Sequence, residues 1–159
     1  MHTKGNLTIY MIIMIITSLC NIYAYKKKQT LFYIIANAQV EFQNEIYVVG
    51  ATNLPKGSII TITITDTIGT GSAEFSNTYN IIVNNNHKFN AKILSRKGFT
   101  FWPGLECDIA FDPMYPKQSK HVLSIVGGPR GTNLGSPQNN PEVSGSYNHK
   151  ILDISIVVQ

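Results

Sequence analysis

Cysteine is nearly missing from this sequence, and the histidines never cluster. Of its two cysteines, Cys20 lies in an apolar leader and Cys107 stands alone in the remainder of the chain, so no disulfide can form within the domain. His87, His121 and His149 are scattered singly, without a second ligand at strand or helix spacing, so no zinc motif is present. Basic excess is missing as well wherever it would matter. All nine acidic residues come after residue 39, and setting aside Lys4 and Lys26 to Lys28 leaves nine of the 13 basic ones, a balance that argues against a nucleic-acid partner. No amphipathic helical period is visible after residue 39.

What is present first is an uncharged run from Leu7 to Tyr25. Its 19 residues reach the lower range for a membrane-spanning helix and exceed most signal-peptide cores. One reading is a secretory signal cleaved after Ala24, with Lys4 as its basic flank. A second takes Lys26 to Lys28 as the flank, Thr30 to Ala36 as a short apolar core, and Ala36-Asn37-Ala38 as an A-x-A cleavage site. A third is an uncleaved hydrophobic helix, whose lysine triplet favours a cytoplasmic domain; a lipoprotein acylated at Cys20 is a fourth. The division expected is a signal peptide or membrane anchor over 1–38, with membrane contact through residues 7–25, and a β-domain over 39–159. Export to a periplasmic or secreted location is the expectation.

From residue 39 the pattern turns to period two. In Ser58 to Asp66, Ile60, Ile62 and Ile64 fall on one face and Thr61, Thr63 and Thr65 on the other, a half-buried strand built almost wholly of β-branched residues. Strands are also predicted over Glu45 to Thr52, Leu105 to Phe111, Lys120 to Val126 and Asn148 to Val158. Thr78 to Val83 and Lys88 to Leu94 read as a hairpin around Asn84-Asn85-Asn86-His87. Gly69-Thr70-Gly71 marks a break. About seven strands predict an antiparallel β-sandwich, with a small barrel as the alternative. The order GATNLPKG, alternating strand, hairpin, then KGFTFWPGLECDI resembles the immunoglobulin-like sandwich modules of exported bacterial proteins. The resemblance implies fold and export, not chemistry.

Chemistry is hard to find. Cys107 shares its phase with Leu105 and Ile109, which places it in the core, and its neighbours Glu106 and Asp108 disfavour a reactive thiolate. Glu106, Asp108 and Asp112 lack the glycine-bearing acidic loop of a calcium site and read as a solvated face. The segment Gly127 to Tyr147 carries five glycines and three prolines but no Lys-Ser or Lys-Thr pair to hold phosphate. It reads as a functional loop or a disordered connection, with Arg130 and Asn133 as candidate partner contacts. Phe99, Phe101 and Trp102 read either as a plug at the sandwich end or, if exposed, as a partner or carbohydrate anchor. No cofactor, metal or catalytic set is expected. The functional expectation is a non-enzymatic, exported or membrane-associated module that binds another protein or a cell-envelope component. The alternative is an inhibitor or accessory protein that blocks an enzyme through the 127–147 loop.

Overall fold

The computed structural model describes residues 31–66, 75–95, 100–135, 142–146 and 149–159. The leader, the Gly69-Thr70-Gly71 break, Phe99 and the middle of the glycine-rich segment lie outside the described residues. The chain from Leu31 to Gln159 is one compact unit. Among the described residues are eight strands: β1 (Ile34–Phe42), β2 (Glu45–Thr52), β3 (Ile59–Asp66), β4 (Phe75–Ile82), β5 (Lys88–Leu94), β6 (Glu106–Phe111), β7 (Val143–Ser146) and β8 (His149–Val157). They form two antiparallel sheets, β1-β2-β5 and β4-β3-β6-β8-β7.

Period-two patterning explains the packing. Ile60, Ile62 and Ile64 are buried on β3, in register with Cys107 and Ile109 of β6. From the smaller sheet Ile34, Ala38, Ile46, Val48, Phe89 and Ile93 point into the same core. On β2, Gly50 stands opposite Phe89, and a Cβ there would meet the Phe89 ring and lie 2.7 Å from the Ile35 carbonyl oxygen. Only a residue without a side chain lets the ring lie across the strand.

Four sequence expectations change. The domain does not begin at residue 39: β1 crosses that boundary, pairing Ile34 with Thr52 and Ala38 with Val48, and Phe32 and Ile34 are buried. The segment Lys120 to Val126 is a helix, α1 (Lys120–Val126), not a strand. The physical reason lies at its ends and in its phase. Ser119 Oγ accepts the Val122 N–H at 3.2 Å, Gly127 closes the helix with φ 89°, and the buried pair Val122 and Val126 has helical spacing.

The predicted hairpin is a crossing between sheets, because β4 pairs with β3 whereas β5 pairs with β2. Its turn chemistry is as tight as a hairpin's: Asn84 Oδ1 accepts from Asn86 N and Lys88 N, and His87 adopts φ 56°. A turn reverses the chain without choosing its partner. Last, the glycine-rich segment is no plain loop. Gly127 caps α1, Thr132–Leu134 forms a 3-10 turn with Leu134 buried, and β7 pairs with β8.

Besides sharing the core, the sheets are joined at one corner by backbone hydrogen bonds. Gln159 N–H donates to the Ala38 carbonyl at 2.9 Å and its carbonyl accepts from Val40 N–H at 2.8 Å, a parallel bridge to β1. At the other end of β1, the Glu142 carboxylate accepts the Ile34 N–H at 2.8 Å. Both occupy backbone groups on the open edge of the strand.

Candidate functional site

Each of the four candidate contact residues is set by a local element, and the elements lie apart. Phe101 is buried, its N–H bonded to the Gln43 carbonyl at 2.6 Å, so it fills the sandwich end instead of facing a partner. Trp102 beside it is half-buried and packs against the core. This end is tied to β8 by Gly104 N–H donating to the Val158 carbonyl at 2.8 Å. Arg130, exposed, accepts on its carbonyl the N–H of Lys150, at the start of the same strand. From Lys150 to Val158 the strand covers about 26 Å at roughly 3.3 Å per residue. Arg130 and Trp102 therefore stand at opposite ends of the sheet. Asn133 is exposed, but its amide is spent on the Ile125 carbonyl at 2.8 Å, where it closes the end of α1.

One titratable pair escaped spacing arguments. His149 Nε2 lies 2.7 Å from Asp112 Oδ1, both side chains about one-third exposed, and Asp112 Oδ1 also accepts the Met114 N–H at 2.7 Å. The pair ties the end of β6 to the start of β8. Its members are 37 positions apart, and only the antiparallel pairing of these strands brings them together. Beside it, Gln118 behaves like a strand residue: its amide oxygen accepts from Ile59 N at 3.0 Å, and its nitrogen donates to the Ile59 carbonyl at 2.8 Å and the Asp112 carbonyl at 3.1 Å.

Glu106, Asp108 and Asp112 are exposed or partly exposed, and one carboxylate on β3 is buried. Glu106 accepts from Ser155 Oγ at 2.9 Å on the outer face, while Asp66 sits in phase with the β3 isoleucines, is buried, and leaves Oδ2 without a hydrogen bond. Among the described residues no three His, Cys, Asp or Glu side chains are arranged to hold a metal ion. Cys107 is buried, and desolvation, with the Asp108 charge second, pushes its thiol up to about 12. A neutral thiol at that depth is no nucleophile.

What sequence reasoning missed is a surface. In and just before β1, Leu31, Tyr33 and Ile35 are exposed alternately with buried Phe32 and Ile34, and Tyr47 and Val49 of β2 lie on the same outer face of the three-stranded sheet, opposite Gln39 and Asn37. Lys92 reaches over the Tyr47 ring, 5.7 Å from its centroid, and pairs with Glu45 at 2.7 Å. The signal was legible as a second apolar phase in Leu31 to Ile35 and Tyr47 to Val49. Comparison with protein-family models, curated proteins and solved structures returns no match.

Proposed function

We propose that this chain is an exported, membrane-associated sandwich module of immunoglobulin-like topology that binds a cell-envelope component without catalysis. The observation that carries the binding reading is the group of exposed Tyr33, Ile35, Tyr47 and Val49 on the outer face of the three-stranded sheet, interleaved with Asn37, Gln39 and Asn90, since a face that mixes exposed aromatic and aliphatic side chains with amides suits a partner contact. Strand order supports the topology. The sets β1-β2-β5 and β3-β6-β8 correspond to the first, second and fifth strands, and the third, sixth and seventh, of an immunoglobulin sandwich. Here β4 extends the sheet beside β3, and β7 is added beyond β8.

Export is supported by the uncharged run Leu7 to Tyr25. An intact domain limits how that run is used. Cleavage after Ala38 would divide β1 and remove Phe32, Ile34 and Ala38 from the core, so the module is released after Ala24 or stays joined to its anchor. Among the described residues no helix is long and apolar enough to cross a membrane. The inhibitor alternative has no supporting contact, because the described parts of the 127–147 segment are spent on the helix cap, the 3-10 turn and β7.

The test is an epitope after Gln159 with protease added to intact spheroplasts, and mass spectrometry of the N-terminus. Digestion of the epitope, with a chain starting at or before Tyr25, is the expected result. A protected, full-length chain refutes export.

A further inference from the structure

A sheet edge leaves backbone donors and acceptors unpaired, and proteins protect such edges with charge, short length, irregular backbone or a covering group. Among the described residues the edges of the two sheets are β1, β5, β7 and β4, and the first three are protected. On β1, the Glu142 carboxylate and Gln159 occupy the Ile34 N–H, the Ala38 carbonyl and the Val40 N–H. On β5, the N–H and carbonyl of Lys88 are bonded within the Asn84 turn, Tyr79 Oη donates to the Leu94 carbonyl at 3.0 Å, and Lys88 and Lys92 bring charge. β7 is four residues long, with Gly145 at φ 99°. β4 differs. Its eight residues contain no charge, proline or glycine, and they pair with β3 in an unbroken register from Phe75 opposite Asp66 to Ile82 opposite Ile59.

Which groups of β4 face outward follows from the ladder. Val83 N–H donates to the Ser58 carbonyl at 2.9 Å, and on β3 the N–H and carbonyl of Ile59 are taken from the other side by Gln118. Directly opposed residues of an antiparallel pair alternate between bonded and non-bonded. Ile81 and Tyr79 therefore bond to β3, while Thr78, Asn80 and Ile82 direct their N–H and carbonyl groups to the open side. The Thr78 N–H is held by Asn77 Oδ1 at 3.0 Å. The Thr78 carbonyl and both backbone groups of Asn80 and Ile82 have no partner among the described residues. Their side chains are already set on the outer face: Thr61 bonds Asn80 at 3.3 Å, Thr63 bonds Thr78 at 3.2 Å, and Ile82 is 64% exposed.

These open groups match their own copy. An antiparallel strand related by a twofold axis at Asn80 sets Asn80 against Asn80 and Thr78 against Ile82. Each Asn80 N–H then meets the other Asn80 carbonyl, and each Ile82 N–H meets a Thr78 carbonyl, so every open donor is used and the N–H held by Asn77 is not needed. The Ile82 carbonyl is left to water. No like charges are opposed, because β4 has none, and Glu106 and Asp108 on the same outer face lie two strands away on β6. A twofold contact closes on itself and stops at two chains.

We propose that β4 pairs antiparallel with β4 of a second copy of this chain, joining two five-stranded sheets into one. The contact is small beside the roughly 800 Å² per partner of a standard interface, so the pair is reversible and forms with rising concentration. The inference is independent of the export reading and of the outer face of β1-β2-β5.

Backbone amide exchange of the full chain tests it. Exchange at Asn80 and Ile82 slows by about tenfold from dilute to concentrated solution, while Thr78, already bonded to Asn77, changes little. Ile82→Pro removes a donor that β3 does not use, and Asn80→Lys opposes two like charges at the axis; exchange read at Asn80 in the first and at Ile82 in the second stays fast at every concentration. Asn80→Lys leaves the backbone intact and decides the matter alone if circular dichroism shows that Ile82→Pro does not fold. In a Cys20→Ser background, mild oxidation links Asn80→Cys into dimers and leaves Thr63→Cys, on the same face but inside the sheet, monomeric. Fast exchange at Asn80 and Ile82 throughout overturns the proposal, as does protection undiminished in Asn80→Lys. Protection that persists at the highest dilution assigns the edge to a segment of the same chain, and equal cross-linking at positions 80 and 63 means association that does not use β4; either result also overturns it.

Discussion

Glycine in a strand ordinarily weakens it, so replacing Gly50 with alanine ought to gain about 0.5–1 kcal/mol. The packing reverses that sign. A Cβ at position 50 would meet the Phe89 ring and the Ile35 carbonyl oxygen, the latter at 2.7 Å, closer than real Cβ contacts come. Phe89 is buried and cannot swing into solvent, and Ile35 belongs to the neighbouring backbone, so relief requires β1 and β5 to give way together. Overpacking of this kind costs about 1–3 kcal/mol, and the expected net effect of Gly50→Ala is a loss of about 1–2 kcal/mol. Urea unfolding of the domain reads this as a lowered midpoint at constant slope. The ring contact can be isolated: in a Phe89→Leu background, Gly50→Ala should cost at least about 0.5 kcal/mol less, because neighbours in contact are not additive. A stabilised or neutral Gly50→Ala protein, or strict additivity with Phe89→Leu, refutes the close approach.

Three further outcomes are expected. A fragment beginning at Leu31 unfolds cooperatively, whereas one beginning at Gln39 lacks half of β1 and shows no cooperative transition; equal stability of the two by circular dichroism would return the boundary to residue 39. Burial raises the Cys107 thiol to about 12, so the unfolded chain loses this proton first as pH rises. The stability contributed by the neutral thiol is fully present below pH about 8.5 and is lost between there and about 12, a slope that Cys107→Ala should abolish in pH-dependent urea midpoints. Gln118→Leu removes three hydrogen bonds and orphans the Ile59 backbone pair, at a cost of about 1–3 kcal/mol, while Ser119→Ala one residue later removes only a helix cap at about 1 kcal/mol; the reverse order in denaturant midpoints would deny Gln118 its strand-like role.

Alternation carried the central part of the fold. The β-branched run of β3 and the phase of Leu105 to Phe111 admit one inward face each, and Ile60, Ile62, Ile64, Cys107, Ile109 and Phe111 are all buried. Errors arose where a local signal underdetermines a distant partner. Asn84 to His87 announces a reversal, yet which edge receives β5 depends on β2, more than thirty residues earlier. Lys120 to Val126 was ambiguous only if its neighbours were ignored, because Ser119 before it and two glycines after it are helix punctuation. β1 was hidden by a competing signal: the small residues of Ala36-Asn37-Ala38 suit a cleavage site, but they also suit a strand whose Ala38 is buried against β2 and the core. The candidate contacts Phe101, Trp102, Arg130 and Asn133 were chosen by residue type, and type does not say which end of a sheet a residue occupies. The exposed Tyr33, Ile35, Tyr47 and Val49 were present in the sequence as the other half of the alternation in Leu31 to Ile35 and Tyr47 to Val49.

β8 is last in the sequence and lies between β6 and β7 in the larger sheet, and residue 159 beyond it reaches β1. Until that final strand arrives, β6 has a vacant edge and β1 an uncovered one, so a growing chain holds two half-built sheets with no common closure. The long-range pairs β2-β5 and β3-β6 need only residues up to Phe111, but the bridge between the two sheets waits for Gln159. The order of strands therefore makes β8 the piece that closes the larger sheet and joins it to the smaller one in the same step.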